Sequence, residues 1–106
     1  MREKVSVALA SYNGEKYIGR QIESILRNLS AQDELVVSDD GSGDGTVRVV
    51  ESFRDPRVKI VNGPGMGVKK NFENAIKNCT GKYIFLYIIF TSNSFFFIYL
   101  VFAVIK

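Results

Sequence analysis

Up to residue 86 the chain alternates between two kinds of apolar pattern, and that alternation restricts its fold more than any other feature. Short, mostly apolar runs at 5–9, 35–37, 58–61 and 83–86 are bounded by Gly, Pro, Asp, Asn or Ser and have the length of buried strands. Between them lie stripes at helical spacing. The first is Ile18, Ile22, Ile25, Leu26 and Leu29; the second is Val47, Val50 and Phe53; the third is Val68, Phe72, Ala75, Ile76 and Cys79. Asp44 or Thr46 is a candidate N-cap for the second helix, Asp55-Pro56 ends it, and Gly81 is a candidate C′ residue for the third. Strands alternating with helices predict a parallel sheet, right-handed crossovers and helices packed on the sheet faces. The fold class is therefore α/β, a Rossmann-like parallel sheet with flanking helices.

Composition removes several functions. The net charge is only +3 and the Lys and Arg residues are scattered, so no nucleic-acid patch is expected. Histidine is absent, which removes the commonest metal ligand and the commonest general base together. The single cysteine, Cys79, excludes an internal disulfide, fits a reducing compartment and falls on an apolar stripe, where it reads as a small buried hydrophobe. The opening MREKVSVALASYNG has too short an apolar run for a signal peptide. A cytoplasmic location is expected, with the inner face of the membrane as a variant.

Two loops carry polar groups at corresponding places: Ser11-Tyr12-Asn13-Gly14 after the first strand and Asp39-Asp40-Gly41-Ser42 after the second. In an open parallel sheet, ligands bind beyond the carboxyl ends of the strands. If the first two strands are neighbours, both loops line one crevice. A carboxylate there accepts bonds from ribose hydroxyls or a base N–H, each worth roughly 1.5–3 kcal/mol. Tyr12 offers a flat face for a base, worth about 1–3 kcal/mol by analogy with single-strand binders. The competing reading is a simple turn, for which Asp and Gly are common. A dinucleotide site of the dehydrogenase kind is disfavoured, because the first loop lacks the G-x-G-x-x-G phosphate cradle.

The runs VSVALASYNGEKYIGRQIESIL, ELVVSDDGSGDGT, DPRVKIV and KNFENAIKNCTGKYIFL, in that order over about residues 3–86, resemble the start of family 2 glycosyltransferases. The resemblance implies a GT-A fold, truncated here, and inverting transfer of a sugar from a nucleotide-diphosphate donor, a UDP-sugar or similar, in glycan or surface polysaccharide synthesis. It implies that Ala10, Ser11 and Tyr12 hold the base, that Asp40, with Asp39 beside it, reads base and ribose, and that Lys69 lies near the donor. It also implies a divalent cation, Mg²⁺ or Mn²⁺, held by an Asp-X-Asp cluster after the fourth strand. Such a cation stabilises the charge on the leaving diphosphate and needs oxygen ligands. Here the chain departs from the pattern: no Asp or Glu follows Glu73, so the expected ligands and a catalytic base are both missing.

All 11 acidic residues and all but one of the 14 basic ones precede residue 83. Residues 1–86 are accordingly read as the nucleotide-sugar-binding half of a domain, and 87–106 as an apolar tail, irregular or helical. Three readings of that tail stand open. One is the product of a shifted reading frame in AT-rich DNA, after which turnover is not expected. Another is a non-enzymatic membrane attachment through 87–106. The third is a genuine strand-rich ending.

Overall fold

A computed structural model of the chain describes residues 3–88 and 103–105. Among the described residues five strands and three helices follow one another as β1 (Val5–Ser11), α1 (Glu15–Asn28), β2 (Glu34–Asp39), α2 (Thr46–Ser52), β3 (Val58–Asn62), α3 (Val68–Lys77), β4 (Tyr83–Ile88) and β5 (Ala103–Ile105). The sheet order is β3-β2-β1-β4-β5. The first four strands are mutually parallel, and β5 runs antiparallel to β4. The expected parallel α/β sheet is therefore present, with β1 and β2 adjacent. Residues 87 and 88 complete β4, and 103–105 are strand where an irregular or helical tail was expected. Residues 89–102 lie outside the described residues, as do the frame-shift and membrane readings that fall on them. Among the described residues no helix is long and apolar enough to cross a membrane.

Alternation along each strand divides the core into two layers. Val7, Leu9, Leu35 and Val37 meet Ile18, Ile22 and Ile25 of α1 and Val50 of α2 on one face. Ala8, Val36 and Ile84 meet Ala75 and Cys79 of α3 on the other. Each fully buried Leu or Ile contributes on the order of 1.5–3 kcal/mol by leaving water. Cys79 is buried, as its place on the stripe predicts.

The amino ends of the strands are locked by one acid. Glu34 opens β2 and is 2% exposed. Its Oε2 accepts from Ser6 Oγ at 2.6 Å, Thr80 N–H at 2.6 Å and Thr80 Oγ1 at 2.9 Å. Its Oε1 meets Lys59 Nζ at 2.6 Å and Lys4 Nζ at 3.7 Å. Burial alone would raise its pKa; the Lys59, Ser6 and Thr80 bonds outweigh that and hold the carboxyl at about 2. Gly81 belongs to the same junction. Helix α3 ends at Lys77 with Asn78 as C-cap, so Gly81 is not its C′ residue. A Cβ on Gly81 would lie 2.6 Å from Ser6 Oγ and 2.7 Å from Ser6 N, so the glycine is required by close approach to β1.

Candidate functional site

The carboxyl ends of β1 and β2 finish level. Ser11 is the register partner of Asp39, and the Asp40 N–H donates to the Ser11 carbonyl at 3.0 Å. Tyr12 and Asp40, each one residue further on, therefore leave the sheet side by side at the same rim. Tyr12 is 54% exposed, a large aromatic left open at the sheet edge. Cavities of about 380 Å³ between α1, β1 and β4 and about 250 Å³ between α2 and β3 both lie away from this rim.

Strand geometry answers why two aspartates stand together. Consecutive side chains point to opposite faces, so the like charges are separated. Asp39, nearly buried, turns to the α1–α2 side. Its Oδ1 accepts from Ser11 Oγ at 2.8 Å and Ser42 Oγ at 2.6 Å, and its Oδ2 from the Ser42 N–H at 2.9 Å. All of these bonds shape the loops, so Asp39 serves as an internal strut. Asp40 turns to the other side, where its Oδ1 accepts from the Gly65 N–H at 2.6 Å. Among the described residues its Oδ2 accepts no bond, which makes it the open carboxylate oxygen of the rim.

A buried amide on α3 fixes both strand ends. Asn71 is 2% exposed. Its Nδ2 donates to the Ser11 carbonyl at 3.2 Å and the Ser38 carbonyl at 2.9 Å, and its Oδ1 accepts from Ser38 Oγ at 2.6 Å. Asn74 adds bonds to Ser38 Oγ and the Asn62 carbonyl, both at 2.9 Å. Gly63 fits beneath them: a Cβ there would collide with Asn71 Oδ1 and come within 2.6 Å of Asp40 Oδ1. Sequence reasoning missed Asn71. The available signal was its spacing, four residues before Ala75 and eight before Cys79, a polar residue at a buried stripe position.

The two loops also clasp each other. The Asn13 N–H donates to Ser42 Oγ, and Asn13 Oδ1 accepts from the Gly43 N–H, both at 2.8 Å. Asn13 has φ 51°, a left-handed conformation that asparagine tolerates. Gly14 and Gly45 are the N-cap residues of α1 and α2, and neither has a capping side chain. Each borrows from the other loop instead. Asp44 accepts from the Glu15 N–H at 3.2 Å and the Thr46 N–H at 3.0 Å, and also from the Thr46 hydroxyl; Glu15 Oε1 accepts from the Gly45 N–H at 2.7 Å; Thr46 Oγ1 accepts from the Gly14 N–H at 2.9 Å. Burial acts to raise the Asp44 pKa, but these donors leave it below the ordinary aspartate value. The choice between Asp44 and Thr46 as cap is thus resolved in an unforeseen way: Gly45 is the N-cap residue, and Asp44 serves two helices at once.

Of the sequence-derived candidates, Ala10, Ser11, Tyr12, Asp39 and Asp40 come together at this rim. Lys69 is exposed on the first turn of α3, beyond the loop that bonds Asp40. Among the described residues no three His, Cys, Asp or Glu side chains form a group that could hold a metal ion. With Asp39 committed to its loop and Asp40 tied to Gly65, the rim does not fit a divalent cation.

A model of the glycosyl transferase family 2 matches residues 6–90. Escherichia coli chondroitin synthase is 34% identical over 82 residues, which cover 76% of this chain and 12% of that protein. The Escherichia coli UDP-Glc:alpha-D-GlcNAc-diphosphoundecaprenol beta-1,3-glucosyltransferase WfgD is 37% identical over 81 residues, covering 76% of this chain and 32% of the relative. The crystal structure of S. aureus TarS 1-349 superposes with a TM-score of 0.73 at 30% identity, over 80% of this chain and 27% of that 1-349 chain. TarS has also been crystallised with UDP and with UDP-GlcNAc. The chain thus spans less than a third of the length of the curated relatives it is compared with here.

Proposed function

The chain belongs to glycosyl transferase family 2, and on that premise we propose that its carboxyl-end rim binds the nucleoside of a nucleotide-diphosphate sugar donor, a UDP-sugar or similar. The observation that carries the reading is the pairing of Ser11 with Asp39, which brings the open ring of Tyr12 and the open oxygen of Asp40 to one edge. Tyr12 supplies a stacking face and Asp40 a charged acceptor for a base or ribose donor. Ala10 and Ser11 form the floor, and Asp39 holds the β2 loop in place. Lys69, exposed on the first turn of α3, is the residue proposed to meet the diphosphate. The TarS complexes with UDP and UDP-GlcNAc support this class of ligand. The names of the relatives support glycan or polysaccharide synthesis as the setting.

Inverting transfer needs a base to take the proton of the acceptor hydroxyl. With Asp40 given to the nucleoside, the function proposed for the described residues is donor binding. Calorimetric titration of UDP into the full chain tests the reading. Saturable binding that Asp40→Ala weakens about tenfold or more is expected. Absence of binding, or equal binding by the variant, removes it.

A further inference from the structure

Among the described residues β3 is an outer strand of the sheet, paired only to β2. Its bonds to that neighbour show which way each residue's backbone points. The Leu35 N–H donates to the Arg57 carbonyl at 2.8 Å, and the Gly63 N–H donates to the Asp39 carbonyl at 2.7 Å. In a parallel ladder alternate residues turn both backbone groups to the same neighbour. Lys59 and Val61 therefore also face β2, and Val58, Ile60 and Asn62 face outward. Two of these outward groups are taken within the chain. The Val58 N–H donates to the Asp55 carbonyl at 3.0 Å, and the Asn62 carbonyl accepts from Asn74 Nδ2 at 2.9 Å. Among the described residues the Val58 carbonyl, both groups of Ile60 and the Asn62 N–H have no partner.

We infer that this edge is a dimerisation surface, on which β3 pairs antiparallel with β3 of a second copy about a twofold axis at Ile60. The pattern of used and unused groups is self-complementary. In an antiparallel pair, opposed residues exchange N–H and C=O bonds. The axis sets Ile60 against Ile60, and Val58 of each copy against Asn62 of the other. The two Ile60 residues exchange both bonds, and each Asn62 N–H reaches the opposite Val58 carbonyl. The groups already spent, the Val58 N–H and the Asn62 carbonyl, are the ones that would have bonded each other. Pairing thus uses every open group and breaks no bond within either copy. A strand of another protein laid here would keep a donor and an acceptor unbonded opposite the spent groups; a second copy does not.

Side chains agree with the same axis. Val58 and Ile60 lie on the α1–α2 face, beside the cavity of about 250 Å³ lined also by Val50, Glu51, Arg54 and Asp55. Ile60 is only partly buried in one copy. The axis brings the two Ile60 side chains together, a β-branched cross-strand pair of the favourable kind. On the other face Lys59 stands opposite Val61, not opposite itself. Charged side chains commonly guard a sheet edge. Here the Lys59 ammonium is spent on Glu34 of its own copy, at 2.6 Å. Both signs of charge flank the edge, with Glu51 and Asp55 beside Arg54 and Arg57, so two copies meet without a like-charge barrier.

The experiment is sedimentation velocity of the full chain over a concentration series, for the wild type and Asn62→Pro. The substitution removes an N–H that faces away from β2, a place where an edge strand tolerates proline. Symmetry makes that two lost bonds per dimer, which should raise the dissociation constant roughly five- to 150-fold. Amide exchange of the wild type needs no variant. With rising concentration the Ile60 and Asn62 amides should slow, while those of Lys59 and Val61, already bonded to β2, should not. A wild type that stays monomeric throughout overturns the inference. So does association that a folded Asn62→Pro leaves unchanged, which assigns it to another surface such as the 87–106 segment. Exchange at Ile60 and Asn62 that ignores concentration overturns it even if the variant fails to fold. Nucleotide binding is untouched by any of these outcomes, since antiparallel pairing points the two carboxyl-end rims in opposite directions.

Discussion

Strand β2 begins with one acid and ends with two, and the two ends have opposite characters. At the start, Glu34 is closed on every side by Ser6, Thr80, Lys59 and Lys4. At the finish, Asp39 is consumed by its loops while Asp40 keeps one oxygen open. The two saturated acids, Glu34 and Asp39, are 2% and 6% exposed, and Asp40 is half-buried, but exposure is only part of the contrast. What separates them is the count of donors that each oxygen already has. A saturated carboxylate holds the fold; an unsaturated one on a rigid rim is available to something else.

The largest test of that contrast is Glu34→Ala. It strands the donors of Ser6, Thr80 and Lys59 and should lower stability by about 3–5 kcal/mol, read from the denaturant midpoint. UDP affinity of the folded protein should not change, since the rim is at the other end of the strand. Acid titration probes the same residue without a substitution. The Glu34 carboxyl is held at about 2 against an ordinary value of 4.5, so its contribution is complete above the unfolded value and is lost as pH falls toward 2. Stability should drop by roughly 3 kcal/mol across that window, and Glu34→Gln should flatten the slope there.

Gly63→Ala acts at the opposite end. Its new methyl would press on Asp40 and Asn71, costing about 1–3 kcal/mol by overpacking and weakening UDP binding at the same time. Asp40→Ala should invert the Glu34 pattern, with a stability change under about 1 kcal/mol and a tenfold or greater loss of UDP affinity. Finally, Lys70 and Glu73 form an exposed pair at 3.4 Å on α3. Glu73→Ala should shift the midpoint by no more than about 0.5 kcal/mol and leave both ends of β2 as they were.

How far the sequence could be read follows from where each signal resides. Leu35-Val36-Val37 and the Ile18–Ile22–Ile25 stripe carry period and burial in their own composition, so the first four strands, the helices and the parallel sheet were legible. Tyr12 and Asp40 were legible as a pair because strand ends in a parallel sheet gather on one side. The asymmetry between Asp39 and Asp40 was not, because it depends on Ser42 and Gly65, which reach the two carboxylates only after folding. Gly81 looked like a helix terminator, but its reason lies across the sheet at Ser6, 75 positions away in sequence. Asp44 looked like a cap for one helix and serves two, a fact carried by the meeting of two loops. Glu34 and Asn71 escaped notice for the same cause: a single polar residue in an apolar context gives no hint of which distant backbone groups it will close.

The Asn71 amide carries a consequence for the order in which this molecule becomes competent. A nascent chain that has emerged only as far as Asn62 already contains Tyr12, Asp40 and the three strands β1 to β3. It lacks the amide that ties the carbonyls of Ser11 and Ser38 together, and it lacks the Gly65 N–H that orients Asp40. The rim is thus completed by residues made last among those that shape it, so the nucleoside affinity proposed for it should switch on during synthesis as α3 docks.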